Sequence, residues 1–195
     1  MAFLRSTTSL DIEPSVAAGG VLLRAPQMAD FAEWVELRTV SRQFLTKWEP
    51  VWPRDDLTRS AFRRRLRRYQ REIRDDLAYP FLVFREDDGR LVGGLTLSNL
   101  RRGVAQACTV GYWIGAPYAR QGLMSAAVNA VVPFVFETLR LHRLEAACLP
   151  ANISSIGLLR KCGFTEEGYA RRYLQINGVW QDHILFALLA DDVTP

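Results

Sequence analysis

Apolar positions along the chain recur at two spacings, and the switches between them predict its elements. Residues 21–24 read as a short first strand. Residues 26–40 then place Met28, Phe31, Trp34, Val35 and Leu37 three and four apart, which predicts an amphipathic helix. Residues 57–76 predict a second helix, with Phe62, Leu66, Tyr69 and Ile73 as one apolar stripe. Residues 81–86 and 91–100 predict strands joined by Asp87-Asp88-Gly89-Arg90, where the glycine suits a hairpin. The run Ala107-Cys108-Thr109-Val110-Gly111-Tyr112-Trp113-Ile114 predicts a further strand, followed by a helix over 123–139 in which Pro133 removes one N–H and predicts a bend. Residues 142–149 predict a strand, and 153–161 a helix that Gly163 ends. Residues 164–189 predict two strands around the Asn177-Gly178 turn, the strongest hairpin signal in the chain.

The order is one strand, two helices, three strands, a helix, a strand, a helix and two strands. It predicts an α/β fold with a mixed seven-stranded sheet and helices on both faces. Residues 1–20 carry little periodicity and predict a loose tail, residues 21–190 a single domain, and residues 191–195 a second short tail. A chain of 195 residues that is 49% apolar suits one domain with its own core. The start, Met1-Ala2-Phe3-Leu4-Arg5-Ser6, has no continuous apolar stretch, and the longest apolar runs are too short to span a bilayer. The expectation is a soluble, cytoplasmic protein. Cys108, Cys148 and Cys162 lack metal-ligand spacing and predict buried free thiols.

Charge changes the picture in one place. Arg59, Arg63, Arg64, Arg65, Arg67, Arg68, Arg71 and Arg74 fall on the second helix, and Glu72, Asp75 and Asp76 offset only three of them. That local excess of +5 leaves about −1 for the rest of a chain whose formal net charge is +4. Such a face is either solvated or a contact for an acidic partner such as ribosomal RNA. No stacking aromatics accompany the arginines, so base-specific reading is not expected.

Chemistry is expected first at the turn Pro117-Tyr118-Ala119-Arg120-Gln121-Gly122-Leu123-Met124, between a strand and a helix. The first N–H groups of a helix lack partners, and its dipole favours an anion there. Gly122 would let a phosphate approach the backbone without a Cβ in the way, although a glycine also serves an ordinary tight turn. Strand, helix and strand form a parallel crossover, so this turn lies at the carboxyl end of its first strand, where ligands bind in α/β sheets.

These residues resemble the GNAT acyl-CoA N-acetyltransferases, whose pyrophosphate loop runs Gln/Arg-x-x-Gly-x-Gly/Ala. Ala119 to Met124 fits that loop in part, with Ala119 first and Met124 last. A longer resemblance is to the ribosomal-protein alanine N-acetyltransferases of RimJ type. It runs through Phe44-Leu45-Thr46-Lys47-Trp48-Glu49-Pro50, Ser98-Asn99, Gly111-Tyr112, His142-Arg143, Asn152-x-x-Ser155, Lys161-x-Gly163-Phe164, Glu167-Gly168-Tyr169-Ala170, Asn177-Gly178-x-Trp180 and Asp182-His183. It implies splayed central strands, residues 107–115 and 143–149, with the arm of acetyl-CoA entering the gap.

The resemblance also implies a site. Trp113, Ile114, Arg120, Gln121, Gly122, Leu123, Met124, Ser125 and Asn152 would bind acetyl-CoA, largely through the backbone, and no metal is expected. Ser155 would protonate the departing thiolate, although Asn152 is equally a natural N-cap and Ser155 a first-turn residue. A sister group places a Glu three positions before the Asn-Gly turn; Leu174 stands there in this chain. Glu49, set in Trp48-Glu49-Pro50-Val51-Trp52-Pro53, is the remaining carboxylate candidate, with a structural ion pair as the other reading. That stiff aromatic loop is either a packed corner or a wall facing substrate. His183 beside Asp182 is a possible base or a satisfied structural residue, and Glu145 is expected at a solvated or paired strand position.

The implied activity is transfer of acetyl from acetyl-CoA to the N-terminal amine of a protein, an Ala-starting ribosomal protein foremost. Two other readings stay open: acetylation of a small amine such as a polyamine or an antibiotic, and a ribosome-binding assembly factor with little turnover.

Overall fold

The computed structural model describes residues 14–193. A single eight-stranded sheet runs through it in the order β1-β2-β3-β4-β5-β6-β8-β7. The strands are β1 Ser15–Ala18, β2 Val21–Arg24, β3 Tyr79–Arg85, β4 Leu91–Arg101, β5 Ala107–Ile114, β6 Arg143–Cys148, β7 Thr165–Ile176 and β8 Val179–Leu189. The helices are α1 Phe31–Val40, α2 Arg42–Leu45, α3 Arg59–Arg74, α4 Leu123–Pro133, α5 Ile153–Lys161 and α6 Ala190–Val193. Only β5 and β6 pair in parallel; the other neighbours are antiparallel.

The extra strand corrects the expectation of seven strands and of a loose segment through residue 20. Ser15–Ala18 folds back on Val21–Arg24 through Gly19 and Gly20, both at positive φ (64° and 80°), the backbone of a two-residue hairpin. Residues 1–13 of the expected tail lie outside the described residues. At the other end, residues 191–193 complete the helical turn α6, and residues 194–195 lie outside the described residues.

Helices cover both faces because the sheet is apolar on both. Along β3, Phe81 and Val83 join one core with Val21, Leu23 and the α4 residues Ala127, Val128 and Val131. Leu82 and Phe84, pointing the other way, join a second core with Trp34 and Leu37 of α1 and Phe62 and Leu66 of α3. That two-sided burial explains the unbroken apolar run of Phe81 to Phe84. Phe62 is 1% exposed and lies 4.9 Å from the Trp34 ring, so it pins α3 onto α1.

The helix expected over 123–139 divides at Pro133. Pro133 has no N–H to return to Asn129, and the chain continues as a π-helical turn, Phe134–Thr138, in which the Leu139 N–H reaches the Phe134 carbonyl at 2.9 Å. Cys108, Cys148 and Cys162 are free and buried. No described helix is long and apolar enough to cross a membrane.

Candidate active site

β5 delivers the chain into the anion turn under firm constraint. The Gly115 N–H donates to the Val92 carbonyl at 2.8 Å, and the Ala116 N–H donates to the buried Ser41 hydroxyl at 2.9 Å. Gly115 leaves room for Leu37: a Cβ there would sit 2.3 Å from Leu37 Cδ1, so any larger residue would have to displace that side chain. Arg120 (φ 63°) and Gly122 (φ 80°) then adopt left-handed backbone, and Gly122 caps α4 with no side chain bonded to its first turn. A Cβ on Gly122 would meet no atom within 4 Å, so the turn opens onto free space. Unpartnered first-turn N–H groups facing an open position fit the phosphates of acetyl-CoA. Arg120, Gln121 and Gly122 are exposed around it, while Met124 turns its side chain into the core beside Gly93, leaving only its backbone for a ligand. Leu123 and Ser125 are half-buried behind the turn.

The splayed strands are present. β5 and β6 hold register only at Ala107–Arg143, Cys108–Leu144 and Thr109–Glu145. Beyond Thr109, β5 stays paired with β4 and β6 with β8, so the two part company and β5 has no β6 partner along Val110 to Ile114. Free strand backbone at such a gap can bond the amides of an extended ligand arm. Trp113 and Ile114 lie there on opposite faces. The Trp113 indole crosses Gly94, whose absent Cβ would lie 2.4 Å from its Nε1, and packs on the α1 and α3 side; Ile114 packs on the α4 side.

Across the gap, the Asn152 side chain caps α5 by accepting the Ser155 N–H at 3.2 Å. The Ser155 hydroxyl turns away from the backbone and meets the Tyr112 hydroxyl at 2.8 Å. Burial pushes the Tyr112 phenol up, with the Ser155 hydrogen bond opposing, so it stays protonated throughout the neutral range. Burial likewise pushes the Cys148 thiol up, again opposed by a hydrogen bond with Ser155. Tyr112 has no functional part in the sequence reading; its place in the Gly111-Tyr112 motif beside the gap was the available signal.

Tyr112 and Trp113 also line a cleft of about 780 Å³ between the sheet, α3 and the aromatic loop. On its wall, Arg38 forks onto Glu49, with Nη1–Oε1 and Nη2–Oε2 both at 2.8 Å, and Trp52 Nε1 donates to Oε2 at 2.6 Å. The guanidinium lies 4.0 Å from the Trp52 ring and 4.9 Å from Trp113. These bonds use about three of the four lone-pair directions of the carboxylate and leave one on Oε1. Glu49 is therefore in the ion pair that was its alternative reading, and it lines the cleft while doing so. The loop is tied to the β7–β8 hairpin, where the Asn177 N–H donates to the Glu49 carbonyl at 3.0 Å.

His183 is 2% exposed, and its Nδ1 lies 3.0 Å from the Gln181 carbonyl. Asp182 bonds Tyr169 and the Arg172 N–H instead, and His183 is absent from the cleft wall, which suits its structural reading. Glu145 is paired with Arg101 and Arg143, as expected for a strand carboxylate. Among the described residues no cluster of side chains suits a metal ion.

This splayed sheet with its uncapped helix turn defines an acyl-CoA transferase fold, and the chain belongs to the acetyltransferase (GNAT) domain family, which matches residues 21–165. It is an acetyl-CoA-dependent N-acetyltransferase. It is 35% identical to Probable N-acetyltransferase YjcK of Bacillus subtilis over 88% of this chain and 95% of that one. It is 37% identical to the [Ribosomal protein uS5]-alanine N-acetyltransferase of Escherichia coli over 80% of each chain. The structure of Mycobacterium smegmatis RimJ in complex with CoA-disulfide superposes with a TM-score of 0.88 at 31% identity, covering 94% of this chain and 91% of that one.

Proposed function

We propose that the enzyme acetylates the α-amine at the N-terminus of a protein, an Ala-starting ribosomal protein foremost. The observation that carries this reading is the state of the acids in the cleft. Glu49 is paired with Arg38, and Asp56, the other carboxylate on the wall, is paired with Arg65. The lining holds no histidine. An acceptor entering this cleft meets no free base to strip its proton and no unpaired acid to attract a polyamine. An α-amine with pKa about 7.7 is roughly one-sixth neutral at pH 7, whereas a lysine near 10.4 is neutral in about 0.04% of molecules. The first needs only a water path for its proton.

Bound acetyl-CoA supplies a thioester carbonyl open to attack by an amine, and its sulfur needs a proton on departure. The Gly122 turn would hold its phosphates, with Arg120 adding charge and the backbone of Gln121, Leu123, Met124 and Ser125 shaping the turn. Val110 to Ile114 would bond its arm, and Asn152, by capping α5, fixes Ser155 at the gap. With Tyr112 as the donor in its 2.8 Å bond to the Ser155 oxygen, the Ser155 proton would be free to turn toward the departing sulfur. Glu49 offers its remaining lone pair to the incoming amine and so orients it. The relatives named alanine N-acetyltransferases support Ala as the first residue.

A peptide series tests the reading. Ala-starting peptides should be the best acceptors and Ser-starting peptides next, while an N-terminally blocked peptide with a free lysine should be almost inert. Acetylation of spermidine as fast as the Ala peptide would replace this reading with the small-amine one.

A further inference from the structure

The arginines of α3 divide by what faces them. Arg65 and Arg68 line the cleft, Arg65 bonded to Asp56 at 2.5 Å and Arg68 3.5 Å from Glu72. Arg64 pairs with Asp55, Arg74 approaches Asp75 at 3.8 Å, and Arg59 lies 5.5 Å from the Phe31 ring. Arg63, Arg67 and Arg71 are exposed and, among the described residues, have no ion-pair partner. They recur every fourth residue, so they form one row with steps of about 6 Å, about 12 Å long. At 3.6 residues per turn the middle of that row, Arg67, lies about 140° round the helix from buried Phe62 and about 100° from Leu66, and none of the three lines the cleft.

We propose that this row docks on the phosphate backbone of RNA, outside the acetyl-transfer cleft. The choice of RNA rests on the ribosomal-protein reading above; the separation of the row from the cleft does not. A protein partner would want an apolar or aromatic anchor at the centre of its contact. This face has none: the exposed α3 residues beside the row, Ser60, Arg64, Gln70 and Arg74 among them, are polar. Evenly spaced charge without an apolar centre suits a polyanion held by its phosphates, which fixes position without reading sequence. Docking there would leave the cleft open to a protein N-terminus nearby.

The test uses the full chain and a 20-base-pair RNA duplex of arbitrary sequence, with affinity followed against salt. Three phosphate contacts correspond to a log–log slope of about 2 to 3. The variant R63Q/R67Q/R71Q should lose a slope of that size and bind at least tenfold more weakly at low salt, while acetylating an Ala-starting peptide at the normal rate. Replacing exposed Arg90, Arg140 and Arg171 by Gln should leave the slope unchanged. An unchanged slope in R63Q/R67Q/R71Q, or an equal loss in the second variant, overturns the proposal. So does tighter binding of poly-glutamate, or of a DNA duplex of the same sequence. A wild-type enzyme that shows the slope but acetylates no peptide N-terminus would overturn the functional reading and leave the docking row standing.

Discussion

The hydroxyls of Tyr112 and Ser155 lie 2.8 Å apart, joining β5 to the first turn of α5 across the opening where β5 and β6 separate. If this pair supplies the proton for the departing thiolate, Ser155→Ala should lower kcat by about 10² to 10⁴, as loss of a general acid does. Its KM for acetyl-CoA should stay unchanged. Tyr112→Phe removes one neutral hydrogen bond and should cost about tenfold. Because both act through one bond, the double variant should be no slower than Ser155→Ala; steady-state kinetics on an Ala-starting peptide checks this. Full turnover in Ser155→Ala would hand the role to water or another group.

Gly122 and Gly178 share a left-handed φ, 80° and 81°, so valine should strain each by roughly 1 to 3 kcal/mol. Only Gly122 stands at the proposed phosphate turn. Gly122→Val should weaken acetyl-CoA at least tenfold by calorimetry, and Gly178→Val should not. Equal affinities in the two variants would remove the turn from the cofactor site.

Glu49→Gln breaks a charge pair whose arginine is only 8% exposed. Stranding that guanidinium should cost roughly 3 kcal/mol in a denaturant titration. Below the unfolding range, turnover of the Ala peptide should fall while acetyl-CoA affinity holds. Normal turnover in a destabilised variant would leave Glu49 a purely structural partner of Arg38.

Burial pushes the Cys108 thiol up to about 12, and also raises Cys148 and Cys162. Since the thiolate is the reactive form, an alkylating reagent at pH 8 should leave all three cysteines unlabelled in the native protein and label all three in denaturant. Mass spectrometry reads the count. Rapid labelling of Cys148 alone would show that the gap beside Ser155 opens to solvent.

Local pattern made most of this fold legible, and what it missed depends on partners distant in sequence. β1 has four residues, of which only Val16 is half-buried, so no alternation marks it as a strand. Gly19-Gly20 looks like the end of a tail until β2 supplies the other arm of the hairpin. The strand-to-helix turn at Gly122 was readable because its parts are consecutive residues. Tyr112 and Ser155 are 43 positions apart, and periodicity places Tyr112 on a strand without saying what it faces. Arg38 sits beside Leu37 in an amphipathic helix, with nothing nearby to mark it as the partner of Glu49, 11 residues on. The excess charge of α3 was visible as a count. Which arginines remain unneutralised depends on Asp55 and Asp56, which the fold returns to Arg64 and Arg65.

The central claim is that acetyl is delivered to a protein α-amine. Its most direct test is to incubate the enzyme with acetyl-CoA and a mixture of unmodified ribosomal proteins, then locate each added acetyl group by mass spectrometry. The account predicts new acetyl on the N-terminal α-amine of a small set of proteins, Ala-starting ones foremost, with lysine side chains unmodified. Acetyl found mainly on lysines, or thiol release with no protein acetylated, would contradict it.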